Sequence, residues 1–369
     1  MLEQIKKSLE QHPDRKAKEI AKQLGLTTRD VNKILHDHPN LFTQTASCTW
    51  IMKDSLLISL DDSSGNWVSS SDLENYLKKY SSLFEVSQNE IIFSLGSKKV
   101  LLNAATKLLA FCNQLSHRTN KIIAINFSST LDPAYTYLDR AGFFDQLYPQ
   151  VIVRPERPTS SRALTYQQNN IGLLELLPIY NKDGTSNQAP YKLETSYEQN
   201  INNGQRSGLH GFLGELVSNV EDHASSETPS LVGLQRYSAP LGRKKISIVI
   251  SDGGKGICGT LKPILPLYYP QLAKEFHSLA ADNDPKLLIK VFLDGKISCT
   301  GESERGRGFI NSNIVAKRLT GSVVTIRQRN FEVILDYKNS ENPISSWNLN
   351  LTELDGTHIS LDYFLTNDQ

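Results

Sequence analysis

Apolar side chains recur at steps of three and four residues near the start of the chain, which is the spacing of one helix face. The first set is followed by a glycine that suits the left-handed end of a helix: Ala17, Ile20, Ala21, Leu24 and Gly25. Thr27 or Thr28 can cap a second helix, whose apolar stripe is Val31, Ile34 and Leu35. The pattern predicts a helix-turn-helix unit, followed by a short hairpin over TQTASCTWIM.

A partial repeat follows this unit. The first copy consists of Asp30, Val31, Leu35, Leu41 and Phe42. The second copy has the same spacing and again precedes a strand-like segment, EIIFSL: Asp72, Leu73, Leu77, Leu83 and Phe84. Polar turn clusters, DDSSGN and GSKK, lie between and after the copies. We therefore predict two helix-turn-helix modules, over residues 1–54 and 55–98.

The middle of the chain alternates helical and strand periodicity. A predicted helix, VLLNAATKLLAFCNQL, leads to the strand KIIAINF, the polar stretch SSTLDP and a helix from about Ala134 to Ala141, closed by Gly142. This order predicts an α/β domain over residues 99–185. The segment from about residue 155 to 205, which crosses the boundary at residue 185, is predicted to be a linker with one peripheral strand.

The last part of the chain, residues 186–369, contains several strand signals. A long helix is predicted from Ser207 to Ala224, and the strand ISIVIS ends at a glycine-rich turn. A proline- and leucine-rich irregular region follows, and then the strands GSVVTIRQ, FEVILDY and GTHISLDY. We predict a mixed sheet with helices on one face.

The amino-acid composition excludes several classes of protein. The 40 basic and 39 acidic residues leave a net charge of +1, which excludes a polybasic protein held to nucleic acid by bulk charge. The four cysteines lie far apart, so neither a zinc ribbon nor a disulfide framework is expected. No segment approaches the length of apolar sequence that a membrane helix needs. We expect a soluble, cytoplasmic protein that does not associate with membranes and has reduced thiols.

Three polar residues share one face of the predicted helix GFLGELVSNVEDHA. Glu215, Asn219 and Asp222 stand at positions i, i+4 and i+7, with apolar residues on the opposite side. An amide oxygen can ligate Mg²⁺, and a glutamate can take a proton from an attacking water. The alternative is the solvated face of an ordinary amphipathic helix. His223, at the end of this helix, is interpreted as a packed or capping residue.

Two glycine-rich segments follow. In SDGGKGI, Asp252 can accept a hydrogen bond from an exocyclic amine, and its glycines allow close approach of a flat ring or a phosphate. In GESERGRGF, two glycines immediately precede a predicted helix, whose N-terminus favours an anion. Arg305 and Arg307 add positive charge beside those glycines. Taken alone, SDGGKGI is also compatible with an ordinary strand-to-loop turn.

Taken in order, these motifs resemble those of the GHKL ATP-binding fold, which is shared by gyrase, the heat-shock chaperone, histidine kinases and MutL. The matching positions are Glu215, Asn219, Asp252, Gly254, Gly256, Gly306, Gly308, Gly356 and Thr357. The resemblance implies an ATP and Mg²⁺ site between a helix layer and a sheet. Asn219 would ligate Mg²⁺, Asp252 would recognise the adenine amino group, and Thr357 would support that contact through water.

The same resemblance assigns the remaining nucleotide-binding residues. They are the ones beside the motifs already quoted: Asp222, Gly254, Lys255, Gly256, Ile257, Arg305, Gly306, Arg307, Gly308 and Phe309. The segment from Cys258 to Thr300 would be a mobile lid, and ATP binding would dimerise the chain. Glu215 matches the acid that polarises water in hydrolysing members, although kinases of the family can also carry it.

The middle and amino-terminal domains carry two further resemblances. KIIAINFSSTLDPAYTYLDRAGFFDQL is similar to the strand, loop and helix of STAS domains, with Ser128 and Ser129 in place of the usual phosphoacceptor turn. KAKEIAKQLGLTTRDVNKIL resembles the core of winged-helix domains. The outward residues of its second helix suit contact with double-stranded DNA or with a protein partner: Thr28, Arg29, Asn32 and Lys33.

These inferences combine into an α+β multidomain protein with winged helix-turn-helix modules, a STAS-like α/β unit and a C-terminal GHKL α/β sandwich. The leading hypothesis is an ATPase with a regulatory or defence role. In it, Mg-ATP binding closes the lid and controls the binding of nucleic acid or protein by the N-terminal modules. One alternative is a serine/threonine protein kinase of the partner-switching type. Another is a DNA-binding regulator that senses nucleotide without hydrolysing it.

Overall fold

The computed structural model describes most of the chain. It covers residues 1–369 except 40, 46, 61–64, 168, 181–187, 201–216, 218–219, 221–227, 239–243, 277–279, 281, 295–296, 298–312, 315, 318, 320, 338–342 and 366–369. Within the described residues, short runs of helices and of strands follow one another along the chain, and three separate hydrophobic cores are present.

The helices of the described residues are α1 (Leu2–Gln11), α2 (Ala17–Leu24), α3 (Thr28–Asp37), α4 (Ser70–Leu77), α5 (Leu102–Arg118), α6 (Pro133–Arg140), α7 (Phe143–Gln146), α8 (Arg162–Thr165), α9 (Ala189–Asn200), α10 (Gly256–Leu261), α11 (Leu265–Tyr268), α12 (Pro270–Glu275) and α13 (Asn283–Asp294). The strands are β1 (Phe42–Gln44), β2 (Trp50–Met52), β3 (Ser55–Ser59), β4 (Trp67–Val68), β5 (Glu90–Gly96), β6 (Lys99–Val100), β7 (Ile122–Phe127), β8 (Ile152–Arg154), β9 (Leu173–Ile179), β10 (Ser230–Ser238), β11 (Lys244–Ser251), β12 (Val323–Arg329), β13 (Phe331–Asp336), β14 (Ile344–Asn348) and β15 (Leu354–Phe364).

The N-terminal unit consists of helices α1 to α3 and the antiparallel pair β1 and β2. Gly25 ends α2 in the left-handed conformation, at φ +66°, as the sequence predicts. Thr27, and not Thr28, caps α3, because its side chain accepts a hydrogen bond from the backbone N–H of Asp30 at 3.1 Å. The helices and the strand pair bury one small core, in which Ile5 and Leu35 are fully buried.

Residues 55–98 do not form a second helix-turn-helix module. Strands β3 and β5 pair in parallel with each other, and β5 pairs in parallel with β7, which gives a four-stranded sheet in the order β3-β5-β7-β8. Leu73 and Leu77 of the repeat are buried in the core of this sheet and not in a separate helix-turn-helix core. The repeated apolar spacing predicts helix α4 correctly, whereas the predicted boundary at residue 98 is wrong, because it divides one sheet.

The C-terminal sheet has seven strands in the order β14-β13-β12-β15-β11-β10-β9. Every pair is antiparallel, so the prediction of a mixed sheet is wrong. Strand β9 is the peripheral strand predicted between residues 155 and 205, and it pairs with β10. The C-terminal sheet therefore begins before the predicted boundary at residue 186.

Helices cover both faces of this sheet, whereas the sequence predicted helices on one face. One face packs on α9, on α10 to α13 and on the helical residues Val217 and Val220, both of which are buried. The opposite face contributes Leu231 and Val249 to the core that surrounds α5. Helix α5 thus lies between the parallel sheet and the antiparallel sheet, and its long apolar stretch is buried against both.

The segment predicted as an irregular, mobile lid contains four helices, α10 to α13, in its described part. Leu261, Leu265, Leu287 and Phe292 from these helices are buried in the core of the antiparallel sheet. The prolines and leucines therefore mark short helix starts and core contacts. Pro270 occupies the first position of α12, where a missing N–H is tolerated.

The described residues contain no helix of the length and apolar character required to cross a membrane.

Candidate functional site

The site is centred on Asp252, which directly follows β11. Its carboxylate accepts hydrogen bonds from the backbone N–H groups of Gly254, at 2.8 Å, and of Thr357, at 3.2 Å. The backbone N–H of Asp252 donates to the carbonyl oxygen of Thr357 at 3.0 Å. Asp252 and Thr357 lie 105 residues apart and both are buried. The structure therefore brings together two motifs that the sequence placed in one site.

Gly356 allows this close approach. Its φ is +92°, and a Cβ built on it would lie 1.8 Å from the carbonyl oxygen of Asp252. Gly256, at φ +73°, sits on the other side, and a Cβ there would lie 3.1 Å from the carbonyl oxygen of Gly356. Both glycines are needed because the Asp252 loop, β15 and the start of α10 meet without space for side chains.

Gln328 completes the described part of the site. It was not predicted from the sequence as a site residue. It is buried on β12, opposite Thr357, and its side-chain amide donates to the Thr357 hydroxyl at 3.1 Å. Its Oε1 accepts from the backbone N–H of Cys258 at 3.1 Å. Gln328 follows Val324 and Ile326 at a period of two, so a polar residue on the apolar face of a strand was the available signal.

Burial changes the acidity of Asp252. It raises the pKa of this carboxyl group to about 6, although the hydrogen bonds from Gly254 and Thr357 oppose the shift. The donors are all neutral groups. The carboxylate can accept a further hydrogen bond from a ligand N–H, which would favour the ionised form.

The remaining predicted nucleotide-binding residues divide into two groups. Lys255 is exposed immediately before α10, and Ile257 packs partly buried against the core of the antiparallel sheet. The others lie outside the described residues: Glu215, Asn219, Asp222, Arg305, Gly306, Arg307, Gly308 and Phe309. Val217 and Val220, from the same predicted helix as Glu215 and Asn219, belong to the core on the face that carries Asp252.

A buried ionic network lies on the opposite face of the sheet. Glu74 of α4 accepts from Lys107 of α5 at 2.9 Å and from Arg327 of β12 at 3.0 Å. Lys107 also contacts Glu332 of β13 at 3.3 Å. Arg327, which precedes Gln328, also donates to the carbonyl oxygen of Thr352. The network therefore joins the parallel sheet domain to the strands that carry the site.

His358 is a buried residue of β15. It follows Thr357, and burial, together with the charge of Arg327, lowers its pKa to about 3. The ring is therefore neutral at physiological pH. Its Nε2–H donates to the carbonyl oxygen of Asp355 at 2.9 Å, and its Nδ1 accepts from the hydroxyl of Ser251 at 2.7 Å. Ser251 and His358 thus hold the backbone that positions Asp252 and Thr357.

The predicted N-terminal contact surface is located on α3. Thr28, Arg29 and Lys33 are exposed, and Asn32 is half-buried. In the middle domain, the polar stretch from Ser128 to Pro133 joins β7 to α6, as predicted. Ser128 is exposed there, whereas the backbone N–H of Ser129 donates to the Asp132 carboxylate at 2.9 Å.

Within the described part of the chain, no group of three or more histidine, cysteine, aspartate or glutamate side chains is placed so that it could hold a metal ion. The proposed Mg²⁺ ligand, Asn219, lies outside that part.

Comparisons of the chain with protein-family models, with curated proteins and with solved structures gave no match.

Proposed function

We propose that the chain binds Mg-ATP at the Asp252 site and hydrolyses it. The observation that supports this most strongly is the arrangement of Asp252 and Thr357 on the sheet face that also packs on Val217 and Val220. The predicted GHKL motifs need a helix carrying Glu215 and Asn219 over the sheet edge that carries Asp252. The packing of the two valines is compatible with that requirement.

The chemistry of the described residues fits an adenine base. Asp252 is a buried acceptor whose described partners are neutral donors, so it suits the exocyclic amino group of adenine. The Thr357 hydroxyl, held by Gln328, offers a second polar contact. Gly254 is half-buried and leaves its backbone partly accessible beside them. These residues would bind the base, and they select for an amino group over a carbonyl group at that position.

Glu215 and Asn219 are proposed to act on the phosphate end. Asn219 would hold Mg²⁺ through its amide oxygen, and bound Mg²⁺ would neutralise phosphate charge. Glu215 would orient a water molecule and take its proton. Arg305 and Arg307 would contact phosphate oxygens, with the backbone of Gly306 and Gly308 beside them. ATP binding would then dimerise the chain.

The N-terminal unit is proposed to be a winged-helix module whose partner is regulated by nucleotide binding. Arg29 and Lys33 are exposed on α3, which follows the Gly25 turn. Helices α2 and α3 would form the helix-turn-helix pair. In such a unit the second helix, here α3, contacts base edges and phosphates in the major groove of DNA. The four-stranded parallel sheet of the middle domain is proposed to be STAS-like.

ATP turnover in the presence of Mg²⁺ tests the proposal. Wild-type protein is expected to release free phosphate, and Glu215→Ala is expected to lower that rate about 100-fold or more because it removes the proton acceptor. Glu10→Ala, which changes an exposed acid on α1, should leave the rate unchanged. Each reaction is run with and without mixed double-stranded DNA, and free phosphate and protein-bound label are measured separately.

The other outcomes of that experiment are equally informative. Label retained on the protein would contradict hydrolysis and indicate a protein kinase. Binding of ATP without either product would contradict enzymatic turnover and indicate a nucleotide-gated regulator. Absence of ATP binding would overturn the nucleotide site itself.

The affinity for ATP should depend on pH through Asp252. Because a ligand N–H needs the ionised carboxylate, and the pKa of free Asp252 is about 6, affinity should be constant above about pH 7. It should fall about tenfold between pH 7 and pH 5 as Asp252 becomes protonated. Isothermal titration with a non-hydrolysable ATP analogue across this range measures the effect.

Asp252→Asn is the matched control for the pH experiment. It should bind the analogue weakly, with an affinity that stays the same between pH 5 and pH 7. An unchanged wild-type affinity across this range would contradict the role given to Asp252.

A further inference from the structure

A cavity lies where the parallel sheet domain meets the edge of the antiparallel sheet. Its volume is about 500 Å³. Its walls come from β4, β6, α6, the start of α8 and strands β9 and β10. This volume is in the range of small-molecule sites, which frequently form between domains.

The cavity is positively charged. Lys99, Arg140 and Arg162 line it, and no carboxylate is among its lining residues in the described part of the chain. Arg140 is neutralised by an ion pair with the buried Glu175 and also donates to the carbonyl oxygen of Tyr166 at 2.7 Å. Lys99 and Arg162 are both exposed, and they supply the charge that a ligand anion would meet; the nearby Asp139 carboxylate offsets part of the Arg162 charge.

Aromatic rings line the cavity beside these cations. The indole of Trp67 is 43% exposed, and it contacts the ring of Tyr237 edge to face at 6.2 Å. The Lys99 ammonium lies 5.2 Å from the centre of the Trp67 ring. Tyr137 forms part of the opposite wall. An exposed indole beside a cation provides an apolar surface for a flat ring and a charge for a group attached to that ring.

The cavity is separate from the Asp252 site. In the β10 and β11 pairing, Tyr237 lies opposite Lys245 and Leu231 lies opposite Ser251. The β10 lining residue nearest to Leu231 is Gln235, four residues away, which corresponds to about 13 Å along a strand. Gln235 shares the sheet face of Leu231, which packs on α5, so the sheet itself also separates the cavity from Asp252 on the opposite face. One bound nucleotide cannot occupy both places.

We propose that this cavity binds a nucleoside monophosphate. The base would lie against Trp67, and Lys99 and Arg162 would hold the phosphate. Asn170 and Gln235, which also line the cavity, offer amide groups to the polar edge of a base or to a ribose. The proposal does not depend on ATP binding at Asp252.

Trp67 fluorescence measures the proposed binding directly. Titration of wild-type protein with AMP, GMP, CMP or UMP should quench fluorescence for at least one of the four, because a stacked base quenches an indole. The signal should be absent in Trp67→Phe. The double variant Lys99→Ala/Arg162→Ala should weaken binding about tenfold or more, since charged hydrogen bonds to the phosphate are lost. Lys18→Ala/Lys22→Ala, which removes two exposed cations from α2, is the matched control and should bind as the wild type does.

Two further measurements distinguish binding in this cavity from binding at the Asp252 site. Asp252→Asn should retain the quenching, and the matching nucleoside without phosphate should bind at least about tenfold more weakly than the monophosphate. Circular dichroism establishes that each variant is folded. Absence of quenching by all four monophosphates, equal affinity for the nucleoside, or quenching that survives loss of both cations would overturn the proposal.

Discussion

Gly356→Ala is expected to lower the free energy of unfolding by about 3 kcal/mol or more and to abolish ATP binding. An added Cβ would lie 1.8 Å from the carbonyl oxygen of Asp252 and 2.8 Å from the Cα of Gly253. These are backbone atoms, so β15 and the Asp252 loop must separate. The separation breaks the hydrogen bond from Thr357 to the Asp252 carboxylate. Urea unfolding followed by circular dichroism, together with titration by an ATP analogue, measures both effects.

Gly25→Ala is the matched control for that variant. Gly25 also has a positive φ, +66°, but apart from Gly25 and its chain neighbours no atom of the described residues lies within 4 Å of an added Cβ. The expected cost is therefore about 1 kcal/mol, from the left-handed conformation alone. If the two variants had equal stability and both bound nucleotide, the close packing of Gly356 on Asp252 would not be required.

Glu74→Gln is expected to lower the free energy of unfolding by about 3–5 kcal/mol. Glu74 is the shared acceptor of Lys107 and Arg327, and all three side chains are at most 6% exposed. The substitution leaves two buried cations with Glu332 as the remaining acid in the network. Urea unfolding at pH 7.5 measures the loss.

The acidity of Glu74 determines the pH at which this stabilisation is present. Burial acts to raise its pKa, but the charges of Lys107 and Arg327 outweigh burial and hold the pKa below the ordinary value of 4.5. Because the pKa is lower in the folded state, the stabilisation is complete above about pH 4.5 and is lost as the pH falls through the folded-state pKa.

Arg118→Ala is the control for the buried network. It removes the ion pair between Arg118 and Asp355, whose two side chains are 41% and 32% exposed, respectively. The free energy of unfolding is therefore expected to fall by less than about 1 kcal/mol. Both sites join α4 or α5 to the antiparallel sheet, but the Arg118 pair is partly exposed, and Arg118 also lies over the Phe84 ring, 4.3 Å from its centre. A loss for Glu74→Gln as small as that for Arg118→Ala would show that the network adds little to the contact between the domains.

Several features could be predicted from the sequence because local periodicity determines them. The stripe from Ala17 to Leu24 and the following glycine predict α2 and its turn, and both are present. The apolar segments KIIAINF and FEVILDY predict β7 and β13. The order of Asp252, Gly254, Gly256 and Thr357 also predicts a shared site, and these residues meet at the end of β11.

Other features depend on which strand lies beside which, and local patterns do not encode this. The segment EIIFSL would be a strand both in a second helix-turn-helix module and in an α/β domain. Its parallel pairing with β3 and β7 shows that residues 55–98 belong to the α/β domain. Apolar alternation likewise did not distinguish an antiparallel sheet from a mixed one. Both predictions failed because pairing direction depends on long-range contacts.

The sequence by itself determined where helices and strands form and which polar residues follow them, because these properties depend on neighbours in the chain. The tertiary structure alone decided that Gln328 supports Thr357 and that Glu74 contacts Arg327, 253 residues away. It also decided that Trp67, Lys99 and Arg162 line one cavity. A buried polar group needs a partner, but any compatible group in the folded chain can supply it, so only the packing of the domains selects that partner.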